Sequence, residues 1–423
     1  MTAGQQLVRR LGTFDAVIIG LGSMMGAGVF AAFTPAAQAA GGGLLVGLAV
    51  AAVVAYCNAT SSAQLAAQYP TSGGTYVYGR ERLGEWPGFL AGWAFVIGKT
   101  ASCAAMALTF ASHAAPAGWE RPVAVAAVVG LAAVNYRGVT RTARLTRVIV
   151  LVVLMALAVV VAVSLAAAPS EGGGLPAWGD LLSEGWYGVL QSAGLLFFAF
   201  AGYARIATMG EEVRDPRRTI PRAIPLALAI AFGVYAAVAV SILWALGADR
   251  VAATAAPLAA AVESGTWSWA APVVRVGGAA AALGALLALI AGIGRTSLAM
   301  ARQDDLPRWL AAVHPVHRVP HHAEVALAVA VSLVVLLADL RGAIGFSSFG
   351  VLLYYLVANM AAFTQTGQHR RYPRVLQVLG GVACVALVLT LPQAAVIGGL
   401  VVLGMGVVYR LARRRAATGP ART

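Results

Sequence analysis

Gly22, Gly26 and Gly28 interrupt an apolar run, Gly22-Ser23-Met24-Met25-Gly26-Ala27-Gly28-Val29-Phe30, that with its flanks is long enough to cross a bilayer. A helix in hydrocarbon has no water to satisfy its backbone, so a break there is tolerated only beside a cavity or inside protein. At such a break the second half-helix presents N–H groups and a positive dipole end, while the first presents carbonyls. That polarity suits a zwitterion. The spacing of Gly22 and Gly26 also fits a G-x-x-x-G face against which another helix packs without any unwinding. A dinucleotide fingerprint is excluded, because Met25 stands where the third glycine belongs and no strand precedes the run.

Lys99 is the second group able to do chemistry. It is the one lysine among 30 basic residues and lies mid-run in Trp93-Ala94-Phe95-Val96-Ile97-Gly98-Lys99-Thr100-Ala101-Ser102. A charge at the centre of a spanning helix costs about 2.5–3.5 kcal/mol, so an intramembrane ionisable side chain is a functional candidate by default. Burial tunes an amine so that it gains and loses a proton in the physiological range. The competing reading is a structural lysine paired with backbone carbonyls.

Arg205 follows a second glycine-interrupted stretch, Phe197-Phe198-Ala199-Phe200-Ala201-Gly202-Tyr203-Ala204-Arg205-Ile206. It either flanks a binding site or points to a water-filled vestibule and shapes a gate. Glu211 and Glu212, beside Arg214, Arg217 and Arg218, read as a gating or anchoring ion-pair network at a helix end, or as a solvated helix end.

Other chemistries find little support. His314, His317, His321 and His322 cluster between Pro315 and Pro320 without ligand spacing or a cysteine, so no metal is expected. Cys57, Cys103 and Cys384 lie in separate apolar segments and read as small core residues. Phosphate-binding, zinc-protease and nucleophile-elbow motifs are absent, which leaves ATP-driven transport and hydrolysis without machinery. An enzyme is not expected.

These residues need elements to hold them. With 60% hydrophobic and 11% charged residues over 423 positions, the chain reads as a polytopic membrane protein. Roughly twelve apolar spans are expected, near residues 14–39, 42–67, 87–113, 121–135, 146–168, 187–209, 221–246, 273–300, 323–338, 343–365, 375–391 and 393–411. The first begins after Arg9-Arg10 and has no cleavage site, so it is expected to remain as a span. Arginines at 9–10, 80–82, 137–147, 214–222, 302–318, 370–374 and 410–415 fall in alternate loops, whereas the loop from Pro169 to Trp186 holds Glu171, Asp180 and Glu184 and no basic residue. The positive-inside rule then places both termini in the cytoplasm and makes the net charge of +14 topogenic rather than nucleic-acid-binding. The stretch Tyr69-Pro70-Thr71-Ser72-Gly73-Gly74-Thr75-Tyr76-Val77-Tyr78-Gly79-Arg80 predicts a short amphipathic helix lying against the membrane.

The two interrupted segments open two five-span blocks, 14–168 and 187–365, that run in opposite directions because five is odd. Broken helices at corresponding places in inverted halves point to a transporter site at the midplane.

At this point the chain resembles the amino acid/polyamine/organocation superfamily of transporters. The resemblance rests on Gly22-Ser23 with Gly26-x-Gly28-Val29-Phe30, and on Pro70-x-Ser72-Gly73-Gly74-x-Tyr76 with Gly88-Phe89-x-x-Gly92-Trp93. It continues through Phe200-Ala201-Gly202-Tyr203, Gly210-Glu211-Glu212-Val213-Arg214-Asp215-Pro216, Thr219-Ile220-Pro221-Arg222 and Met300-Ala301-Arg302 with Leu306-Pro307.

The resemblance implies an all-α membrane protein with a LeuT-like five-plus-five inverted repeat and two further helices, 375–411, in one transporter domain spanning the chain. It implies alternating access, with a substrate carboxylate at the N–H groups of Gly26, Ala27 and Gly28. The substrate ammonium would meet carbonyls near Ser23, Met24, Phe198 and Ala201, beside Gly202, with Phe198 matching an aromatic gate. Some proton-coupled members carry a lysine on helix five; here Val153 stands there, and Lys99 on helix three is the expected substitute. Arginine/agmatine exchangers carry a glutamate where this chain has Ala204, and the basic Lys99 and Arg205 disfavour a cationic side chain.

The expected function is therefore proton symport of a neutral amino acid, with exchange of amino acids or amines second and a non-transporting sensor a weaker third. No cofactor is expected beyond a proton gradient or counter-substrate. The expected partners are the amino acid and the lipid bilayer, with no nucleic acid, in a monomer or homodimer at the cytoplasmic membrane.

Overall fold

The structure, a computed structural model, describes residues 11–70, 73–138, 143–170, 172–210 and 212–418. Arg9, Arg10, Thr71, Ser72, Arg141, Glu171 and Glu211, all invoked above, lie outside the described residues. The described chain is almost wholly helical, and its helices fall on the expected apolar segments to within a few residues. Nine helical segments among the described residues are long and apolar enough to cross a membrane.

The expected first span is three helices, α1 (Thr13–Met24), α2 (Ala27–Ala31) and α3 (Phe33–Ala40). Asp15 starts α1 by accepting from the Gly12 N–H at 3.1 Å, which meets one of the donors a helix start leaves open. The break comes where the glycines predict it: Gly26 has φ −62° and ψ −141°, outside any helix. Next come α4 (Leu44–Gln68), α5 (Gly74–Leu83), α6 (Glu85–Ala114), α7 (Glu120–Tyr136) and α8 (Ala143–Ala166). The α5 helix lies where the turn-and-aromatic loop predicts a short one.

The second interruption follows α9 (Gly185–Phe200). The chain tightens into a 3₁₀ turn over Ala201–Tyr203 and resumes as α10 (Ala204–Ala207). Then α11 (Pro216–Ala253) overshoots its expected end at 246 by passing through Gly247, whose φ of 76° only glycine adopts freely. A side chain there would also fall 1.9 Å from the Gly172 carbonyl oxygen. The loop from Pro169 closes on this kink, with the Gly174 N–H donating to Trp244 O at 3.0 Å.

A helix the sequence reading lacks, α12 (Pro257–Glu263), precedes α13 (Ala271–Arg302). The chain ends with α14 (His321–Leu337), α15 (Leu340–Phe363), α16 (Arg374–Thr390) and α17 (Gln393–Thr418). Helices α7, α14 and α16 have 17 residues each, about 25 Å of rise. That is the lower limit for a hydrocarbon core of about 30 Å.

Small residues let the helices touch. Gly98 of α6 and Gly350 of α15 meet so closely that a Cβ on Gly350 would lie 2.5 Å from the Ala94 carbonyl oxygen. The outer faces carry the opposite pattern, with Leu151 and Met155 of α8 and Leu400 and Val408 of α17 exposed as a lipid-facing surface requires.

One buried charge ties the arginine-rich ends together. Asp305, 3% exposed, accepts from the Tyr76 hydroxyl at 2.8 Å and from Arg80 at 2.9 Å, and pairs with Arg410 of α17 at 3.2 Å. The Arg410 guanidinium lies 4.6 Å above the Phe89 ring and 4.8 Å above Trp86. Burial and the neighbouring Asp305 carboxylate push the Tyr76 phenol up. The phenol therefore stays a donor to Asp305.

Candidate functional site at the two helix breaks

The two interruptions pack directly on one another. A Cβ on Gly202 would lie 2.3 Å from the Ser23 carbonyl carbon and oxygen, and one on Gly28 would lie 2.7 Å from Ala199 Cα. Backbone thus meets backbone at both points, which only glycine permits. Gly26 is turned the other way, toward Ala285 of α13, where an added Cβ would come within 2.8 Å.

The freed carbonyls have partners that the sequence reading missed. Tyr235, buried on α11, places its hydroxyl 2.7 Å from Met24 O and 3.1 Å from Ala199 O, so one donor is shared between the two broken segments. Tyr355 of α15 donates to Ala201 O at 3.4 Å. Its ring is held by Phe197, Tyr203 and Tyr354, with Tyr203 stacked at 5.1 Å. A carbonyl has two lone pairs, so a bond from a tyrosine does not by itself exhaust any of these oxygens.

The other expected residues occupy these places. Ser23 is half-buried and donates its hydroxyl to Ile19 O at 2.9 Å. Met24, Phe198 and Ala201 are buried. Ala27 opens α2, whose first N–H groups have no partner within so short a helix. Ser23, Met24, Gly28 and Gly202 are brought together; Phe198 and Ala201 share the segment facing them.

Lys99 is buried on α6, and among the described residues its ammonium has no hydrogen bond or ion pair. One turn on, the Ser102 and Ser347 hydroxyls are 2.6 Å apart. Arg205 is not left to face Lys99: it pairs with Glu212 at 3.1 Å, both side chains partly exposed. The backbone around Glu212 is anchored to the start of the chain's first helix, with Leu11 N–H donating to Glu212 O at 3.2 Å and Arg214 N–H to Leu11 O at 2.8 Å. Arg295 of α13 lies within electrostatic reach of Arg205, Glu212 and Glu324.

Glu324 is a carboxylate inside an expected span, 323–338, that the reading of Lys99 and Arg205 left out of account. It lies in the first turn of α14, 2% exposed, with its Oε2 lacking a hydrogen-bond partner. The signal was available as one acidic residue at the head of the apolar run after His322. His113 is a further buried titratable group, packed against Phe30 with ring centroids 5.7 Å apart, just beyond the first break.

No group of three His, Cys, Asp or Glu side chains among the described residues is placed to hold a metal. Three of the four histidines, His314, His317 and His321, gather around Tyr136, with His314 and His317 ring centroids 4.7 Å apart and His314 5.4 Å from Tyr136, while His322 packs on Trp309 at 5.6 Å.

Comparison with known proteins agrees with this architecture. A profile of the amino acid permease family matches residues 11–409. An uncharacterized transporter of Mycobacterium tuberculosis (strain H37Rv) is 59% identical over 416 residues, covering 97% of this chain and 93% of the relative. A branched-chain amino acid permease of Bacillus subtilis is 25% identical, covering 98% of this chain and 95% of its own. A chloroplastic cationic amino acid transporter 6 of Arabidopsis thaliana is 27% identical, covering 96% and 76%. With helix breaks where the superfamily motifs fall and a family match along nearly its whole length, this multi-pass membrane chain belongs to the amino acid permease family of the amino acid/polyamine/organocation superfamily.

Proposed function

We propose that the protein is a secondary transporter that moves a neutral amino acid across the cytoplasmic membrane by alternating access, coupled to protons. The observation that carries this reading is the backbone contact of Gly202 with Ser23, which sets two interrupted helices face to face. A pair of half-helix ends in contact offers donors from one side and acceptors from the other. The substrate carboxylate is assigned to the N–H groups of Gly26, Ala27 and Gly28. The ammonium is assigned to the carbonyls of Ser23, Met24, Phe198 and Ala201, where the bonds from Tyr235 and Tyr355 do not by themselves exhaust the oxygens.

The architecture we infer is the five-plus-five inverted repeat, halves 14–168 and 187–365, with α16 and α17 outside it and the arginine-rich ends in the cytoplasm. The lone buried amine of Lys99 supports its assignment as the proton carrier. A neutral side chain is favoured because Glu212 is engaged by Arg205, leaving Lys99 as an uncompensated positive charge. The names of the relatives point both ways, to branched-chain and to cationic amino acids.

Exchange is the second reading. Glu324, buried with an open oxygen, is a carboxylate that a cationic substrate or a proton could use instead.

Proteoliposomes separate the two. Uptake of a labelled amino acid mixture driven by an inward proton gradient supports symport; uptake only against preloaded amino acids at uniform pH supports exchange. No flux in either format would remove transport altogether.

A further inference from the structure

A cleft of about 190 Å³ opens at the arginine-rich end of the molecule, away from the helix breaks. It is lined by Gln64 and Gln68 from the end of α4, Arg217 from the first turn of α11, and Gln368, His369 and Arg371 from the loop between α15 and α16. That volume equals about six water molecules of liquid, enough for a phosphate group and part of its ester.

The lining is one-signed. Arg217 and Arg371 have no ion pair or hydrogen bond from their guanidinium groups among the described residues. The neighbours of each are engaged: Arg218 pairs with Asp215 at 3.6 Å, and Arg374 lies over the Phe363 ring at 5.1 Å. Arg217 also sits at the N-terminus of a long helix, whose dipole adds to the positive potential there.

The amides are built to hold this arrangement. Gln64 is fully buried, and its Oε1 accepts from the Arg371 and Tyr372 N–H groups, each at 3.3 Å, while its Nε2 donates to Ala362 O at 3.2 Å. The backbone at Arg371 is thereby fixed to α4. Gln68 has its Oε1 taken by Gln365 at 2.6 Å, which leaves its amide N–H groups as the part with hydrogen-bonding capacity to spare. The cleft therefore offers guanidinium, imidazole and amide donors and no carboxylate among the described residues.

We infer that this cleft is a binding site for a phosphate group, supplied either by the headgroup of an anionic phospholipid or by a soluble phosphate. Guanidinium pairs match phosphate oxygens in geometry as well as charge, and basic pockets between helices at a membrane surface take anionic headgroups. A bound phosphate would join the start of α11 to the α15–α16 loop, both of which pack on α4. The inference stands apart from the assignment of the helix breaks, and its test reads binding rather than transport.

The test is native mass spectrometry of the purified full-length protein titrated separately with phosphatidylglycerol, phosphatidylcholine and inorganic phosphate. Adducts of phosphatidylglycerol or of inorganic phosphate, in excess over phosphatidylcholine, are expected. Which of the two is retained identifies the source. Each basic side chain near a membrane surface is worth about fivefold in binding, so Arg217→Gln with Arg371→Gln should weaken the retained ligand about 30-fold. The control Arg218→Gln with Arg370→Gln removes the same charge from outside the cleft and should leave affinity unchanged. Where the double variant fails to give a monodisperse peak, each single substitution should still lower affinity about fivefold. Equal loss in cleft and control variants, unchanged affinity in the cleft variants, or no preference over phosphatidylcholine overturns the inference.

Discussion

The Tyr235 hydroxyl lies 2.7 Å from the Met24 carbonyl oxygen, and 3.1 Å on its other side is the carbonyl of Ala199. One phenol on α11 thus belongs to both broken segments. Removing its oxygen leaves buried acceptors short of a donor at a cost of about 1–3 kcal/mol. Tyr235→Phe should therefore lower thermal stability in detergent and raise the apparent KM of uptake roughly tenfold. An unchanged KM in proteoliposomes would remove Tyr235 from the site.

Gly202→Ala should abolish uptake, because the added Cβ would fall 2.3 Å from the Ser23 carbonyl. Overpacking of this kind costs about 1–3 kcal/mol, and the backbone that must shift is the backbone assigned to the substrate. Gly233→Ala on α11 meets nothing within 4 Å and serves as the control, expected to keep wild-type uptake. If the two variants behave alike, close approach of the breaks is not what matters.

Lys99→Ala and Lys99→Arg separate coupling from binding. Both are expected to bring gradient-driven accumulation down to the level seen without a gradient while preserving exchange of preloaded substrate. Intact pH-dependent uptake in both variants would end the assignment of Lys99 as proton carrier.

Asp305→Asn takes from Arg410 its buried countercharge, a pair at 3.2 Å with side chains only 5% and 4% exposed, and leaves it the exposed Glu85 carboxylate at 3.6 Å. Breaking such a pair from one side costs about 3–5 kcal/mol. A lowered unfolding temperature is expected, with substrate affinity of the surviving folded protein unchanged, as measured by ligand-induced shift of that temperature.

Asp304 provides a pH test at the same end of the molecule. The hydrogen bond from Arg308 and the Arg308 and Arg413 charges hold its carboxyl below the usual aspartate range. A depressed carboxyl contributes stability above its unfolded pKa and loses it as pH falls through the folded value. The difference between wild type and Asp304→Asn should thus be constant from neutral pH down to the usual aspartate range and vanish only below it, as followed by unfolding at graded pH.

Much of the scaffold was legible because hydrocarbon imposes a strict length and composition on what crosses it. The same strictness made the glycines at 26, 28 and 202 visible as breaks. Tyr235 and Tyr355 were not visible, because a phenol in an apolar helix reads as core until its face is known, and that face is set by packing between distant segments. The pairing of Arg205 with Glu212 escaped for a related reason: the bond closes within seven residues, but only because α10 stops at Ala207 and the chain turns back. Helix α12 and the kink at Gly247 lie outside the apolar runs, where no bilayer constraint marks the ends.

The contact between Asp305 and Arg410 also has a temporal side. A ribosome delivers Asp305 and its first partner, Arg80, long before it delivers residue 410, and the last member of the cluster arrives only with α17. Insertion of the preceding helices thus precedes completion of the charge cluster that fastens them. A chain halted before α17 would keep Asp305 paired with Arg80 but leave uncovered the faces of Trp86 and Phe89 on which Arg410 comes to lie, the kind of apolar surface that makes partly folded chains prone to association.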